Sequence, residues 1–144
     1  MMTALDKESL FYKVEKIRSS LKKLTQIAKL DYQTYIDKEE NLLITERLLH
    51  ITIEAMLDIG NQLIASESLP SPLEYRDVFR ILGREGILNT ELMEKCLPLA
   101  GLTNRLVHEY EDIDHRMIHQ LLQENLQDFE NYLSMIVAYV NTQV

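Results

Sequence analysis

Apolar residues recur at three- and four-residue intervals along most of the chain, and wherever that spacing is sustained it predicts an amphipathic helix. From about Asp6 to Lys29 the stripe runs through Leu10, Val14, Ile17, Leu21, Leu24 and Ile27/Ala28, with lysines between its members. The segment Asp31 to Ile36 interrupts the pattern, and Asp37 followed by Glu40 reads as an N-cap with its capping-box partner for a second helix reaching about Ser66. In that helix Leu42, Leu43, Leu48, Leu49, Ile51, Ile53, Met56, Leu57, Ile59, Leu63 and Ile64 cover more than one stripe, which predicts burial on two sides, by the bundle and by a partner chain. Ser71-Pro72-Leu73-Glu74 reads as another capping box with proline at the first helical position, starting a third helix that ends near Gly83 to Gly86. A fourth begins near Asn89 or Thr90. Pro98 removes a backbone hydrogen bond inside it and crowds the preceding turn, so this helix is expected to be kinked or split before residue 101. Asp114 then reads as the N-cap of a last helix to about Asn141, with a stripe through Ile118, Leu121/Leu122, Leu126, Phe129, Leu133, Ile136/Val137 and Val140.

Composition agrees with this pattern. At 144 residues and 46% hydrophobic content the chain suits one domain, residues 1–144, with a substantial core. Only four glycines and three prolines punctuate it, so the expected fold class is all-α, an up-down bundle of four to five helices with the fourth kinked. No apolar run is long enough to span a bilayer, and Asp6, Lys7 and Glu8 stand where a signal peptide would be apolar. A cytoplasmic protein without membrane association is expected. Cys96 is the sole cysteine, which excludes an intrachain disulfide and reads as a small core residue. The net charge of −8 disfavours generic nucleic-acid binding through a basic surface. A local basic cleft remains open to the chain, because Arg76, Arg80, Arg84, Arg105 and Arg116 gather between positions 76 and 116.

The chemistry is concentrated between Gly101 and Asp114, where Asn104, Arg105, His108 and Tyr110 place an amide, a guanidinium, an imidazole and a phenol close together. On a helix, Asn104 and His108 are four apart and Arg105 and His108 three apart, spacings that share a face able to hold a phosphate and move a proton. On the second helix His50, Glu54, Asp58 and Gln62 follow one another at four-residue steps. Glu54 and Asp58 there either orient Arg105 or His108 or form a solvent-side strip. His115 and His119 have metal-ligand spacing with Glu111 upstream, but such pairs recur by chance, and no metal site is assigned. Glycine-rich phosphate loops and serine-nucleophile motifs are absent.

The segment resembles the signature of HepT-like proteins, the toxin ribonucleases of the HEPN superfamily, in which an arginine is followed after four residues by histidine and, after one more, by tyrosine. His108 matches the histidine, Tyr110 the tyrosine and Asn104 the asparagine that follows the arginine, whereas the arginine's own position is Thr103. An apolar second helix containing Thr52-Ile53-Glu54-Ala55-Met56-Leu57-Asp58-Ile59, a third beginning near Tyr75 with Phe79, and a long last helix extend the likeness over most of the chain. The resemblance implies a HEPN-like bundle that cleaves RNA, with transfer RNA as the suggested substrate, and needs neither metal nor other cofactor. Histidine would transfer a proton and arginine would stabilise the phosphate. It further implies a homodimer with its site near the dimer cleft, and a nucleotidyltransferase antitoxin that adenylylates Tyr110.

Arg105 lies about 200° around a helix from position 103 and cannot simply take its place. Arg80 and Arg84 are alternative substitutes in space. The resemblance implies two alternative functions. One is a metal-independent endoribonuclease of a toxin–antitoxin pair, with Asn104, Arg105 and His108 catalytic. The other is a catalytically silent HEPN-type module that binds a nucleotidyltransferase or a nucleotide, favoured by Thr103 and the acidic charge. A purely structural motif is the third and weakest reading.

Overall fold

In the computed structural model, residues 5–108 and 113–143 are described. They form helices α1 (Lys7–Ile27), α2 (Tyr32–Asp37), α3 (Glu39–Ser66), α4 (Tyr75–Arg84), α5 (Thr90–His108), α6 (His115–Glu124) and α7 (Leu126–Thr142), and no strand. All five expected helical stretches are present. Two further segments arise because α2 is helical and because the last stretch divides at Asn125.

α1 starts at Asp6, whose carboxylate accepts from the Ser9 N–H at 2.9 Å, and it buries Leu10, Val14, Ile17, Leu21 and Leu24. The same capping chemistry creates α2. Asp31 accepts from the Thr34 N–H at 2.8 Å, satisfying an otherwise orphan donor and starting a short helix that buries Tyr35. Asp37 is therefore the last residue of α2 and not a cap; its carboxylate accepts from Gln33 Nε2 at 3.0 Å. The N-cap of α3 is Lys38, in extended geometry and without a side-chain cap bond.

α3 is the hub of the bundle, with α1, α2, α4 and α5 all packed against it. Its two-sided hydrophobicity is thus satisfied largely within the chain. Leu49, Ile53, Met56, Leu57, Ile59, Leu63 and Ile64 are buried, and only Leu43 and Ile44 of its large apolar residues stand exposed. A partner chain is not needed to explain the other apolar positions.

The approach of α4 depends on Gly60. A Cβ there would lie 2.5 Å from Val78 Cγ1 and 3.2 Å from both Leu82 Cδ1 and Tyr132 Oη, so hydrogen is the side chain that fits. Tyr132 closes the same layer: its hydroxyl donates to the Met56 carbonyl at 2.8 Å and its ring meets Phe79 edge-on at 5.9 Å. α4 begins later than the Ser71 box implies. Glu74 is its N-cap, and Asp77 accepts from the N–H groups of Leu73 and Glu74, both at 3.1 Å. Ser71 and Pro72 precede the helix as irregular chain.

α5 runs unbroken through Pro98. Splitting is avoided because Pro98 and Glu94 are both exposed, leaving the Glu94 carbonyl, which loses its helical partner, open to water. Asp114 caps α6 as expected, accepting from the N–H groups of Arg116 and Met117 at 3.0 and 3.1 Å. At Asn125 the backbone leaves helical geometry (φ −118°, ψ −1°) before α7 begins. Among the described residues no helix is long and apolar enough to cross a membrane.

Candidate active site

The last two turns of α5 carry Gly101, Thr103, Asn104, Arg105 and His108. At about 100° per residue, Gly101, Asn104 and His108 share one face, three and seven residues apart. Asn104 borders a cleft of 620 Å³ together with Asn61 from α3, Gly101, and Leu73, Tyr75 and Arg76 around the start of α4. Arg76 Nη2 lies 3.6 Å from where a Cβ on Gly101 would stand, so the guanidinium rests against the Gly101 face of α5. His108 is exposed at the end of that helix.

Arg105 occupies a different place. It lines a 220 Å³ groove between α5 and α6 with Pro98, Leu102, Met117, Leu121 and Glu124, so the structure separates it from the cleft that Asn104 borders. Arg80 and Arg84 are engaged on α4 itself, with Asp77 at 3.5 Å and Glu85 at 3.8 Å. Tyr110 and its acidic neighbours Glu109, Glu111 and Asp112 lie outside the described residues.

Thr103 is fully buried, and among the described residues its hydroxyl has no hydrogen-bond partner. An unpaired buried hydroxyl costs free energy that an isosteric methyl does not. Thr103→Val is therefore expected to leave stability unchanged or raise it by up to about 1 kcal/mol, as read from the denaturant midpoint.

The carboxylates proposed behind the site are arranged otherwise than expected. Glu54 Oε1 lies 3.6 Å from His50 Nε2, an i,i+4 pair that is ionic when the imidazole is protonated, and Asp58 is exposed. Among the described residues neither forms a hydrogen bond or ion pair with Arg105 or His108. On α6, His119 is engaged within the bundle, whereas His115 Nδ1 is buried without a hydrogen-bond partner among the described residues. His119 Nε2 is 2.8 Å from the Leu30 carbonyl and its ring packs on Tyr32 and Tyr35, while His115 Nδ1 is 4.0 Å from Glu46. Burial raises the Glu46 carboxyl above the usual range, with the neighbouring His115 pulling the other way. Among the described residues no group of three or more His, Cys, Asp or Glu side chains is placed to hold a metal ion. Cys96 is buried in the core, and burial, reinforced by Asp128, pushes its thiol up to about 12. It has no nucleophilic character at neutral pH.

Fold and motif together define an all-α HEPN-type protein. The chain belongs to the HepT-like ribonuclease family, whose pattern it matches over residues 17–136. It is 31% identical over 141 residues to the tRNA nuclease HepT of Aphanizomenon flos-aquae, spanning 98% of this chain and 96% of that protein. The mRNA nuclease HepT of Shewanella oneidensis is 29% identical over 85 residues, 59% of this chain and 64% of that one. Solved structures of similar shape include YutE of Bacillus subtilis, a cytosolic protein of unknown function (TM-score 0.86, 22% identity, covering 100% of this chain and 96% of that one). Another is the tri-AMPylated Shewanella oneidensis HEPN toxin in complex with its MNT antitoxin (TM-score 0.82, 24% identity, covering 90% and 96%). At these identities the structural likeness establishes the fold.

Proposed function

We propose that this chain is a metal-independent endoribonuclease, the toxin of a toxin–antitoxin pair, and that a nucleotidyltransferase antitoxin controls it. The observation that carries the reading is the placement of Asn104 and His108 on one face of α5, Asn104 bordering an open cleft and His108 exposed, in a chain of the HepT-like family. Cleavage at a ribose moves two protons: one leaves the 2′-hydroxyl as its oxygen attacks phosphorus, and one joins the departing 5′ oxygen. Among Asn104, Arg105, His108 and Tyr110, imidazole is the side chain whose ordinary titration lies near neutral pH, which suits His108 to one of those transfers. Asn104 can donate to a phosphate oxygen. Arg105 reaches the RNA only from the α6 side of the helix.

Transfer RNA is the proposed substrate class, supported by the likeness to a tRNA nuclease over 98% of this chain. The active form is proposed to be a homodimer with its site near the dimer cleft. The test is cleavage of purified tRNA in EDTA by the wild-type protein and by His108→Ala.

Tyr110 is proposed as the residue to which the antitoxin transfers AMP. Co-expression with a cognate nucleotidyltransferase is expected to add one or more adenylyl groups to the intact mass, and Tyr110→Phe is expected to abolish the gain. Retention of the gain in Tyr110→Phe places the modification elsewhere.

One observation favours a second reading, a silent module that docks a nucleotidyltransferase or a nucleotide: the position of the family arginine is Thr103, buried and uncharged. That reading predicts no cleavage by the wild-type protein.

A further inference from the structure

The cleft at the start of α4 contains a cation, Arg76, that lies outside the 103–110 signature. Arg76 borders it with Asn104, and among the described residues Arg76 has no hydrogen bond or ion pair. Its neighbours differ. Arg80 and Arg84 are tied to Asp77 and Glu85, and Arg116 sits 3.9 Å above the Tyr32 ring. In a chain of net charge −8, a guanidinium with no carboxylate partner among the described residues stands at the mouth of the cleft, where it can meet a ligand's anion. Glu74 also borders the cleft, but among the described residues its carboxylate forms no ion pair with Arg76.

The rest of the lining supplies what a nucleotide needs besides charge. Tyr75, 48% exposed, and Leu73, 94% exposed, offer an aromatic face and an apolar edge on which a base can stack. Asn61 and Asn104 add amides that both donate and accept. A volume of 620 Å³ falls within the range of small-ligand sites, about 300–1,000 Å³. Arg76 rests against Gly101, seven residues before His108 on the same helical face, or about 10 Å along the axis. That separation is too large for one phosphate to meet both groups and suits a phosphate adjoining the scissile one.

We infer that the Arg76–Tyr75–Asn104 cleft binds one nucleotide of single-stranded RNA beside the cleavage point, with Arg76 gripping its phosphate and Tyr75 stacking its base. Arg76 is on this account a positioning residue. The proposal rests on the ribonuclease reading for its catalytic consequence, but RNA binding at the cleft is measurable without cleavage.

The probe is a short single-stranded oligouridylate with 2′-O-methyl riboses, which lacks the attacking hydroxyl. Binding to the intact protein is followed by fluorescence anisotropy across a salt series. Arg76→Gln is expected to weaken binding about tenfold and to reduce the slope of log affinity against log salt by about 0.7, the loss of one phosphate contact on a single strand. Arg76→Lys is expected to keep most of the slope, and Tyr75→Ala to weaken binding with the slope unchanged. With cleavable RNA, Arg76→Gln raises KM more than it lowers kcat. Wild-type affinity in Arg76→Gln, weakened binding with an undiminished salt slope, or no binding of the probe by the wild type each overturn the proposal. Failure of the ribonuclease reading registers separately, as binding of the probe without cleavage of ordinary RNA.

Discussion

Replacing His108 with alanine is expected to lower the rate of RNA cleavage about 10²–10⁴-fold, the usual contribution of a positioned acid–base group. Folding and RNA affinity should be almost untouched. His108 is exposed at the final residue of α5, and among the described residues it makes no hydrogen bond or ion pair whose loss would destabilise the protein. A surface substitution of this kind changes stability by less than about 0.5 kcal/mol. The loss therefore appears in kcat at constant melting temperature, with binding of the uncleavable oligouridylate preserved. A parallel fall in stability or affinity would assign His108 a structural role. The contrast with Arg76→Gln separates the groups: one variant loses turnover, the other loses its hold on the strand.

Gly60→Ala is expected to destabilise the fold by about 1 kcal/mol, lowering the melting temperature by about 3 °C. Two effects oppose each other. Alanine is a better helix former than glycine by about 1 kcal/mol, and α3 would gain that amount if space allowed. Space does not allow it, because the new methyl would stand 2.5 Å from Val78 Cγ1 and 3.2 Å from Leu82 Cδ1. Val78 is β-branched and has few rotamers to retreat into, so α4 itself must shift. Overpacking of this kind costs about 1–3 kcal/mol and outweighs the propensity gain. Gly101→Ala provides the internal comparison: its nearest neighbour would be Arg76 Nη2 at 3.6 Å, an ordinary contact, so the helix-propensity gain of up to about 1 kcal/mol should survive. Equal effects at the two glycines would contradict the close approach of α4 to α3. Because α4 carries Tyr75 and Arg76 to the cleft, Gly60→Ala should also weaken RNA binding.

The long helices were legible because their apolar stripes are local and periodic, and each stripe found the core. Burial of Leu10, Val14, Ile17, Leu21 and Leu24 on α1 and of Ile136 and Val140 on α7 shows this directly. What escaped was decided by short-range capping or by packing between distant segments. α2 has only Tyr35 fully buried, too few apolar positions to form a stripe, and depends on the Asp31 cap. At α4, two overlapping spacings, Ser71 with Glu74 and Glu74 with Asp77, compete in the sequence. The second is used, with Asp77 taking the N–H groups of Leu73 and Glu74.

For the site, the spacing within α5 reveals Asn104 and His108 as neighbours on one face. It does not reveal that Arg105 turns toward α6 or that position 103 is buried, because both depend on which side of α5 the bundle covers. Arg76 is further from view. It precedes Asn104 by 28 positions in the sequence, and only the packing of α4 and α5 brings the two to one cleft. The one advance signal was its membership of the arginine cluster between residues 76 and 116.

The most direct test of the central claim is incubation of the purified wild-type protein and of His108→Ala with tRNA in EDTA, followed by analysis of the RNA termini. The wild type is predicted to generate fragments ending in 2′,3′-cyclic phosphate and beginning with 5′-hydroxyl, and His108→Ala to leave the tRNA intact. Intact tRNA with the wild type, or the same fragments from both proteins, would contradict the account.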